Sequence, residues 1–112
     1  MNDQQIAIAV KITRFVEIGF PGFVECLLID ANGQEWLFVD KIPVVACKDL
    51  DENSSYPQVG QIACEIISRR TDENNHEVVL VDTSRPWHID SVTGETRFEV
   101  FDEQLVTLTW ES

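Results

Sequence analysis

One segment of the sequence, residues 81–95 (VDTSRPWHIDSVTGE), gathers side chains that could transfer protons or attack a carbonyl. It contains the residue types of a catalytic triad: Ser84 or Ser91, His88, and Asp82 or Asp90. A triad needs an imidazole bonded to a nucleophile on one side and to a buried carboxylate on the other, and one flexible loop does not preorganise all three groups. The sequence also lacks the G-x-S-x-G nucleophile elbow. We therefore predict no catalytic residues in this segment, whose residues 82–95 are called the 82–95 loop below.

The same loop holds two carboxylates that could act as the acid and the base of a glycosidase. Such a pair requires a defined separation and two different environments for Asp90 and Glu95. The chain has 20 Asp and Glu among 112 residues, so close pairs of acids arise without any selection for chemistry. We interpret these two residues as solvated acids.

A metal site would have to be built from two histidines and three cysteines. His76, His88, Cys26, Cys47 and Cys64 show no C-x-x-C or H-x-x-x-H spacing. Cys26 and Cys64 fall in phase with apolar neighbours, which is typical of buried, unreactive cysteines. The sequence therefore predicts no metal and no cofactor.

One acidic segment, residues 49–55 (DLDENSS), has the alternating oxygen ligands with which a calcium loop begins. It lacks the glycine of such a loop at the sixth position, and Gly60 stands where the bidentate Glu should be. We interpret it as a solvated acidic loop.

The most specific feature of the 82–95 loop is the tripeptide Arg85-Pro86-Trp87. Proline fixes its own backbone and restricts the residue before it, which stiffens the loop. We expect Trp87 to fill one end of the core while Arg85 pairs with a nearby acid. In the alternative, the loop is a recognition surface, because Trp and Arg are enriched at binding hot spots. Its binding residues would then be Arg85, Trp87, His88 and Asp90.

The elements that position this loop show a hydrophobic period of two, which indicates strands. Ile6, Ile8, Val10 and Ile12 are large and apolar and alternate with small or polar residues. This pattern predicts a half-buried strand over residues 6–18. The sequence Gly-Phe-Pro-Gly at 19–22 then breaks the chain.

Residues 23–30 and 35–45 flank Ala31-Asn32-Gly33, which is a strong hairpin signal. A three-residue loop with Gly33 left-handed pairs Cys26 with Phe38 and Leu28 with Trp36, so one face carries Val24, Cys26, Leu28, Trp36 and Phe38. The opposite face is apolar as well and carries Leu27, Ile29, Leu37 and Val39. We expect a barrel, a covering loop or a subunit contact to hide that second face.

The rest of the chain repeats this pattern of short strands and turns. Pro43 predicts a sheet edge or a bend, and residues 48–61 read as a polar connection with a helical turn at 49–53. Further strands are predicted at 62–69, 77–82, 96–101 and 104–110. We predict one all-β domain over 1–112, a small antiparallel barrel or sandwich of six to seven strands with little or no helix. An OB-like or SH3-like barrel is compatible with this order.

The net charge of −12 narrows the choice of partners. So negative a surface repels phosphate backbones and anionic membranes, which predicts no nucleic acid and no membrane as a partner. Basic proteins are its natural partners. The N-terminal sequence MNDQQIAIAV resembles no signal peptide, and no apolar run reaches the length of a membrane span. We expect a bacterial-type protein of the cytoplasm.

These observations favour a non-enzymatic domain that binds another protein, such as an acidic immunity-type or inhibitor protein that covers a basic site. The alternative is a small-ligand-binding barrel or a weak hydrolase that uses the 82–95 loop. A homodimer that buries the second apolar face of the hairpin is a third hypothesis.

Overall fold

A computed structural model describes residues 4–17, 22–46 and 50–108 of the chain. The first half contains strands β1 (Ile6–Glu17), β2 (Phe23–Ile29) and β3 (Glu35–Lys41) and a single helical turn, α1 (Ile42–Val45). The second half contains β4 (Gln58–Thr71), β5 (Glu77–Asp82), β6 (Arg97–Phe101), a 3-10 turn (Asp102–Gln104) and β7 (Leu105–Thr107). None of the helices within these ranges is long and apolar enough to cross a membrane.

The strands form one antiparallel sheet in the order β3-β2-β1-β4-β5-β6, and β7 pairs with the beginning of β1. This sheet curls into a half-barrel, so the prediction of a small all-β barrel is confirmed. A hydrogen bond from Ala31 N to Glu99 O (2.8 Å) joins the tip of the first hairpin to β6 and draws the two ends of the sheet together.

The core lies inside the curl, where alternate side chains of each strand meet. The even positions Ile8, Val10 and Ile12 of β1 are buried, as the period of two predicts. Phe98 on β6 contacts two aromatic rings of β3, with ring centroids 5.2 Å from Trp36 and 5.6 Å from Phe38. Edge-to-face contacts of this kind add to the burial of the rings.

The first hairpin has the predicted register. Cys26 pairs with Phe38 and Leu28 with Trp36. Gly33 is left-handed, with φ +80°, and its N–H donates to Asp30 O (3.1 Å). The carboxylate of Asp30 holds the loop, because Oδ1 accepts from the N–H groups of Asn32 and Gln34 and Oδ2 accepts from Trp36 Nε1, each at 2.9 Å.

Three predictions for the middle of the chain are wrong. The third strand ends at Lys41 instead of residue 45, because Pro43 cannot donate to a ladder and suits the first turn of a helix. No helical turn forms at 50–53, and residue 49 lies outside the described residues. Strand β4 begins at Gln58 instead of residue 62.

Glycine makes that early start of β4 sterically feasible. A Cβ atom on Gly60 would lie 2.9 Å from Val45 O and 2.7 Å from a side-chain carbon of Ile12. The strand can therefore cross under α1 only where this side chain is missing.

The second hairpin, at 72–75, is confirmed, and the last strand is shorter than predicted at Leu105–Thr107. Most of the predicted break at 19–22 lies outside the described residues, as do Cys47 and the end of the predicted last strand.

Candidate functional site

The 82–95 loop joins β5 to β6 and contacts β3, the strand at the other end of the sheet. Thr83, at its beginning, is fully buried, and its N–H donates to Thr96 O (2.8 Å). Thr83 Oγ1 donates to Ile89 O (2.6 Å), and Ile89 N donates back to Thr83 O (2.9 Å). These bonds close the middle of the loop onto its own beginning and hold Ile89 in the core.

The end of the loop is a tight turn that contacts the edge of the sheet. Ser91 N donates to Glu95 O (2.9 Å), and Ser91 Oγ accepts from Glu95 N (3.0 Å). Val92 N donates to Leu37 O (2.8 Å) on β3, the strand at the sheet edge. The loop therefore has a fixed backbone on both sides of its central segment.

The four predicted binding residues all lie on the outer side of this loop. Arg85, Trp87, His88 and Asp90 are exposed, whereas Ile89 between them is only 3% exposed. The prediction that Trp87 fills the core is wrong, because its side chain is 37% exposed and Ile89 occupies the core instead. A left-handed backbone at His88, with φ 58°, changes the direction of the chain between these two side chains.

Asp82 caps the beginning of the loop, but the expected ion pair of Arg85 is not seen among the described residues. Asp82 Oδ1 accepts from Ser84 N (2.8 Å), and Arg97 Nε donates to Asp82 Oδ2 (3.3 Å). The hydrogen bonds from Ser84, and then the charge of Arg97, hold the pKa of Asp82 below its usual value. Arg85 forms no ion pair with any residue that the structure describes.

The serines and the histidine of the loop are not arranged as a triad. Ser91 is buried, and its hydroxyl is used within the loop by Glu95 N and by Thr93 Oγ1 (3.0 Å). The imidazole of His88 is exposed and forms no hydrogen bond with a described residue. Among the described residues, a proton relay through His88 therefore has neither a nucleophile nor an orienting carboxylate.

One acid outside the predicted site, Asp40, lies close enough to the 82–95 loop for the charge of Asp90 to act on it. Asp40 pairs with Val24 in the hairpin register and points to the same side as the buried Phe38. Its Oδ2 atom is buried without a hydrogen-bond partner among the described residues. Burial, and then the charge of Asp90, raise the pKa of Asp40 to about 6. The inward position of Asp40 could have been predicted from the sequence, because Asp40 alternates along the strand with Trp36 and Phe38.

The described residues include no cluster that could bind a metal. Within residues 4–17, 22–46 and 50–108, no three His, Cys, Asp or Glu side chains converge. Cys26 and Cys64 are buried, and burial raises the pKa of each thiol to about 12, so neither is a thiolate at neutral pH.

A groove of about 400 Å³ lies on the other side of the sheet, away from the core. Its lining is mostly apolar and includes Ala9, Leu27, Ile29, Pro57 and Val59. No member of the 82–95 loop lines it. The outer face of β1 and β2 is thus a second feature, separate from the loop.

Comparison with protein-family models, with curated proteins and with solved structures finds no match to this chain.

Proposed function

We propose that this protein is a non-enzymatic binding domain that presents the outer side of the 82–95 loop to a basic protein. The observation that supports this most strongly is the position of Trp87. It is 37% exposed on a loop whose backbone is fixed by Thr83, Ile89 and Val92. A large aromatic side chain on a preorganised loop loses little conformational entropy when a partner covers it.

The neighbours of Trp87 suit the same role. Arg85, His88 and Asp90 are exposed beside it, and Trp and Arg are the residues most enriched at binding hot spots. Exposed polar groups around an aromatic anchor give orientation and specificity to a contact.

The charge of the chain indicates the kind of partner. A net charge of −12 accelerates encounter with a positively charged surface and disfavours acidic proteins and nucleic acids. In its specific form, the proposal is an immunity-type or inhibitor protein whose acidic surface covers the basic site of a toxin or a nuclease.

The test compares the wild-type protein with the Trp87→Ala variant. Each is immobilised and exposed to an extract of the cells that express it, the retained proteins are identified, and the affinity is then measured calorimetrically with the purified partner. We expect a basic protein, bound at least about tenfold less tightly by Trp87→Ala, since truncating a hot-spot residue costs about 2 kcal/mol or more and tenfold corresponds to about 1.4 kcal/mol.

Val59→Ala is the matched control, because Val59 is 84% exposed and lies on the outer face of the sheet. This variant should bind the partner like the wild type. A partner that binds Trp87→Ala at full strength would contradict the proposal, as would a wild-type protein that retains no basic protein.

Asp40 favours a second candidate, a weak hydrolase that works beside the 82–95 loop. A carboxyl with a pKa of about 6 can donate and accept protons near neutral pH. Hydrolysis of a panel of nitrophenyl esters would show a step near pH 6 that Asp40→Asn abolishes. Rates equal to those in buffer alone would discard this candidate.

A further inference from the structure

The outward face of the first hairpin remains apolar and exposed in the folded chain. Side chains alternate along β2 and β3, and those that point away from the core include Ile29, Leu37 and Val39, which are 48%, 38% and 40% exposed. The 82–95 loop contacts β3 through the backbone of Leu37 and leaves these side chains uncovered. Clustered apolar residues on an acidic surface are typical of a protein contact.

The outward residues of β3 read Glu35, Leu37, Val39 and Lys41. This order is complementary to itself when the strand direction is reversed. In a second copy that runs antiparallel across it, Lys41 lies opposite Glu35 and Val39 lies opposite Leu37. Because the contact is symmetric, the same two pairs form twice.

The same two-fold rotation brings β2 of one copy opposite β2 of the other. The register of β2 with β3 aligns Ile29 with Glu35 and Phe23 with Lys41, so the reversal places Ile29 of one copy opposite Phe23 of the other, and it places Leu27 opposite Glu25. Glu25 also points outward, but Arg14 neutralises it locally, with Nη2 3.2 Å from Oε2. The hydrogen bonds from Arg14 and Thr13 lower the pKa of Glu25, so the pair stays charged and internally satisfied.

The local charge of this face is compatible with the docking of a second copy. The protein has only 8 Lys and Arg against 20 Asp and Glu, yet Lys11, Arg14 and Lys41 all lie on this face. These three cations offset the acids of the same face, so contact there adds little local repulsion between two molecules of net charge −12.

We propose that a second copy of this chain docks face to face on the outward side of β2 and β3. The two-fold axis lies in the interface and perpendicular to the strands, so that β3 stacks antiparallel on β3 of the second copy. The contact buries Ile29, Leu37 and Val39, with Glu35 and Lys41 at its rim. It uses a different surface from the 82–95 loop, so it stands independently of the proposed function.

The test is a charge swap on the full chain, with mass measured by sedimentation equilibrium from about 1 µM to about 1 mM. We expect a monomer–dimer equilibrium. Glu35→Lys and Lys41→Glu each bring like charges together twice, so each should weaken dimerisation at least about tenfold. The double variant E35K/K41E restores opposite charges and should dimerise like the wild type.

Glu103→Lys is the matched control, because it makes the same charge change at an exposed position of the 3-10 turn. It should leave the dimer unchanged, and so should Trp87→Ala. Val39→Thr keeps the β-branched shape but adds a hydroxyl to the contact, so it should weaken the dimer without a change of charge. Circular dichroism checks that each variant is folded.

Three results would overturn the proposal. A wild-type protein that is monomeric throughout the concentration range shows that no second copy docks. A dimer that ignores both single charge changes uses another surface. A dimer that both single changes break and the double variant fails to restore lacks the antiparallel two-fold register.

Discussion

Asp40, at the end of β3, lies within electrostatic reach of Asp90, which the 82–95 loop brings over it. The pKa of Asp40 rises from 3.8 to about 6, mainly because the carboxyl is buried and to a smaller extent because Asp90 is negatively charged. Oδ2 of Asp40 has no hydrogen-bond partner among the described residues, so nothing there compensates for the burial of the charge. The 82–95 loop thus lies beside a carboxylate whose ionised form destabilises the folded protein at neutral pH.

Replacing Asp40 by Asn should stabilise the protein above pH 6. Folding raises the pKa of Asp40, so its ionised form is penalised in the folded state, and the penalty is fully present above pH 6 and disappears as the pH falls below 4. We expect Asp40→Asn to raise the free energy of unfolding by about 1–3 kcal/mol near pH 8 and by almost nothing near pH 4. Urea unfolding of both proteins at several pH values measures the difference.

Glu103→Gln serves as the control for that experiment, because Glu103 is exposed on the 3-10 turn. Glu103→Gln should change the free energy of unfolding only slightly and without the pH dependence expected for Asp40→Asn. If Asp40→Asn were destabilising at pH 8, the buried carboxylate would have a compensating partner and its raised pKa would be wrong.

Truncation of Ile89 should destabilise the protein more than truncation of Trp87, although Trp87 is the larger side chain. Ile89 is 3% exposed within the core, and removing a buried Ile side chain costs about 2–5 kcal/mol. Trp87 lies at the surface, so Trp87→Ala should cost less than Ile89→Ala. Thermal and urea unfolding of the two variants gives the order, and the reverse order would mean that Trp87 packs in the core.

The hairpin could be predicted from the sequence because two local signals agree. A period of two defines which side chains share a face, and Ala31-Asn32-Gly33 fixes the register through a left-handed glycine. Cys26 opposite Phe38 and the apolar character of the outward face both follow from these signals, whereas the exposure of that face does not. Local information is sufficient here because the contacts lie close together in the chain.

The site could not be predicted as well, because its geometry depends on contacts between distant residues. The sequence suggested that the largest apolar side chain of the 82–95 loop, Trp87, would be buried. The bonds between Thr83 and Ile89 select Ile89 instead, and no periodicity predicts such bonds. Asp40 shares the phase of Phe38, but its neighbour Asp90 arrives from a distant part of the chain.

Thr83→Val should loosen the 82–95 loop without creating a cavity. Valine has nearly the same shape as threonine, but it leaves Ile89 O without the hydroxyl that now donates to it at 2.6 Å. An unsatisfied buried polar group costs about 1–3 kcal/mol. We expect that loss of stability, together with faster hydrogen exchange at the amide of Ile89. Thr83→Ser keeps the hydroxyl, so it should retain most of the slow exchange; equal exchange rates in all three proteins would contradict the role of this bond.

Two glycines should respond in opposite ways to the same pair of substitutions. Gly60→Ala places a Cβ 2.9 Å from the backbone oxygen of Val45, which cannot move without α1, so we expect a loss of about 1–3 kcal/mol, as for overpacked cores. Gly33 has open space around it and a φ of +80°, so Gly33→Ala should cost only about 1 kcal/mol, from backbone strain. Asparagine tolerates a left-handed backbone, so Gly33→Asn should recover part of that loss of stability. Gly60→Asn, by contrast, should destabilise the protein more than Gly60→Ala does. Urea unfolding of the four variants would separate the steric role from the conformational one, and recovery by asparagine at position 60 would show that β4 does not pass closely under α1.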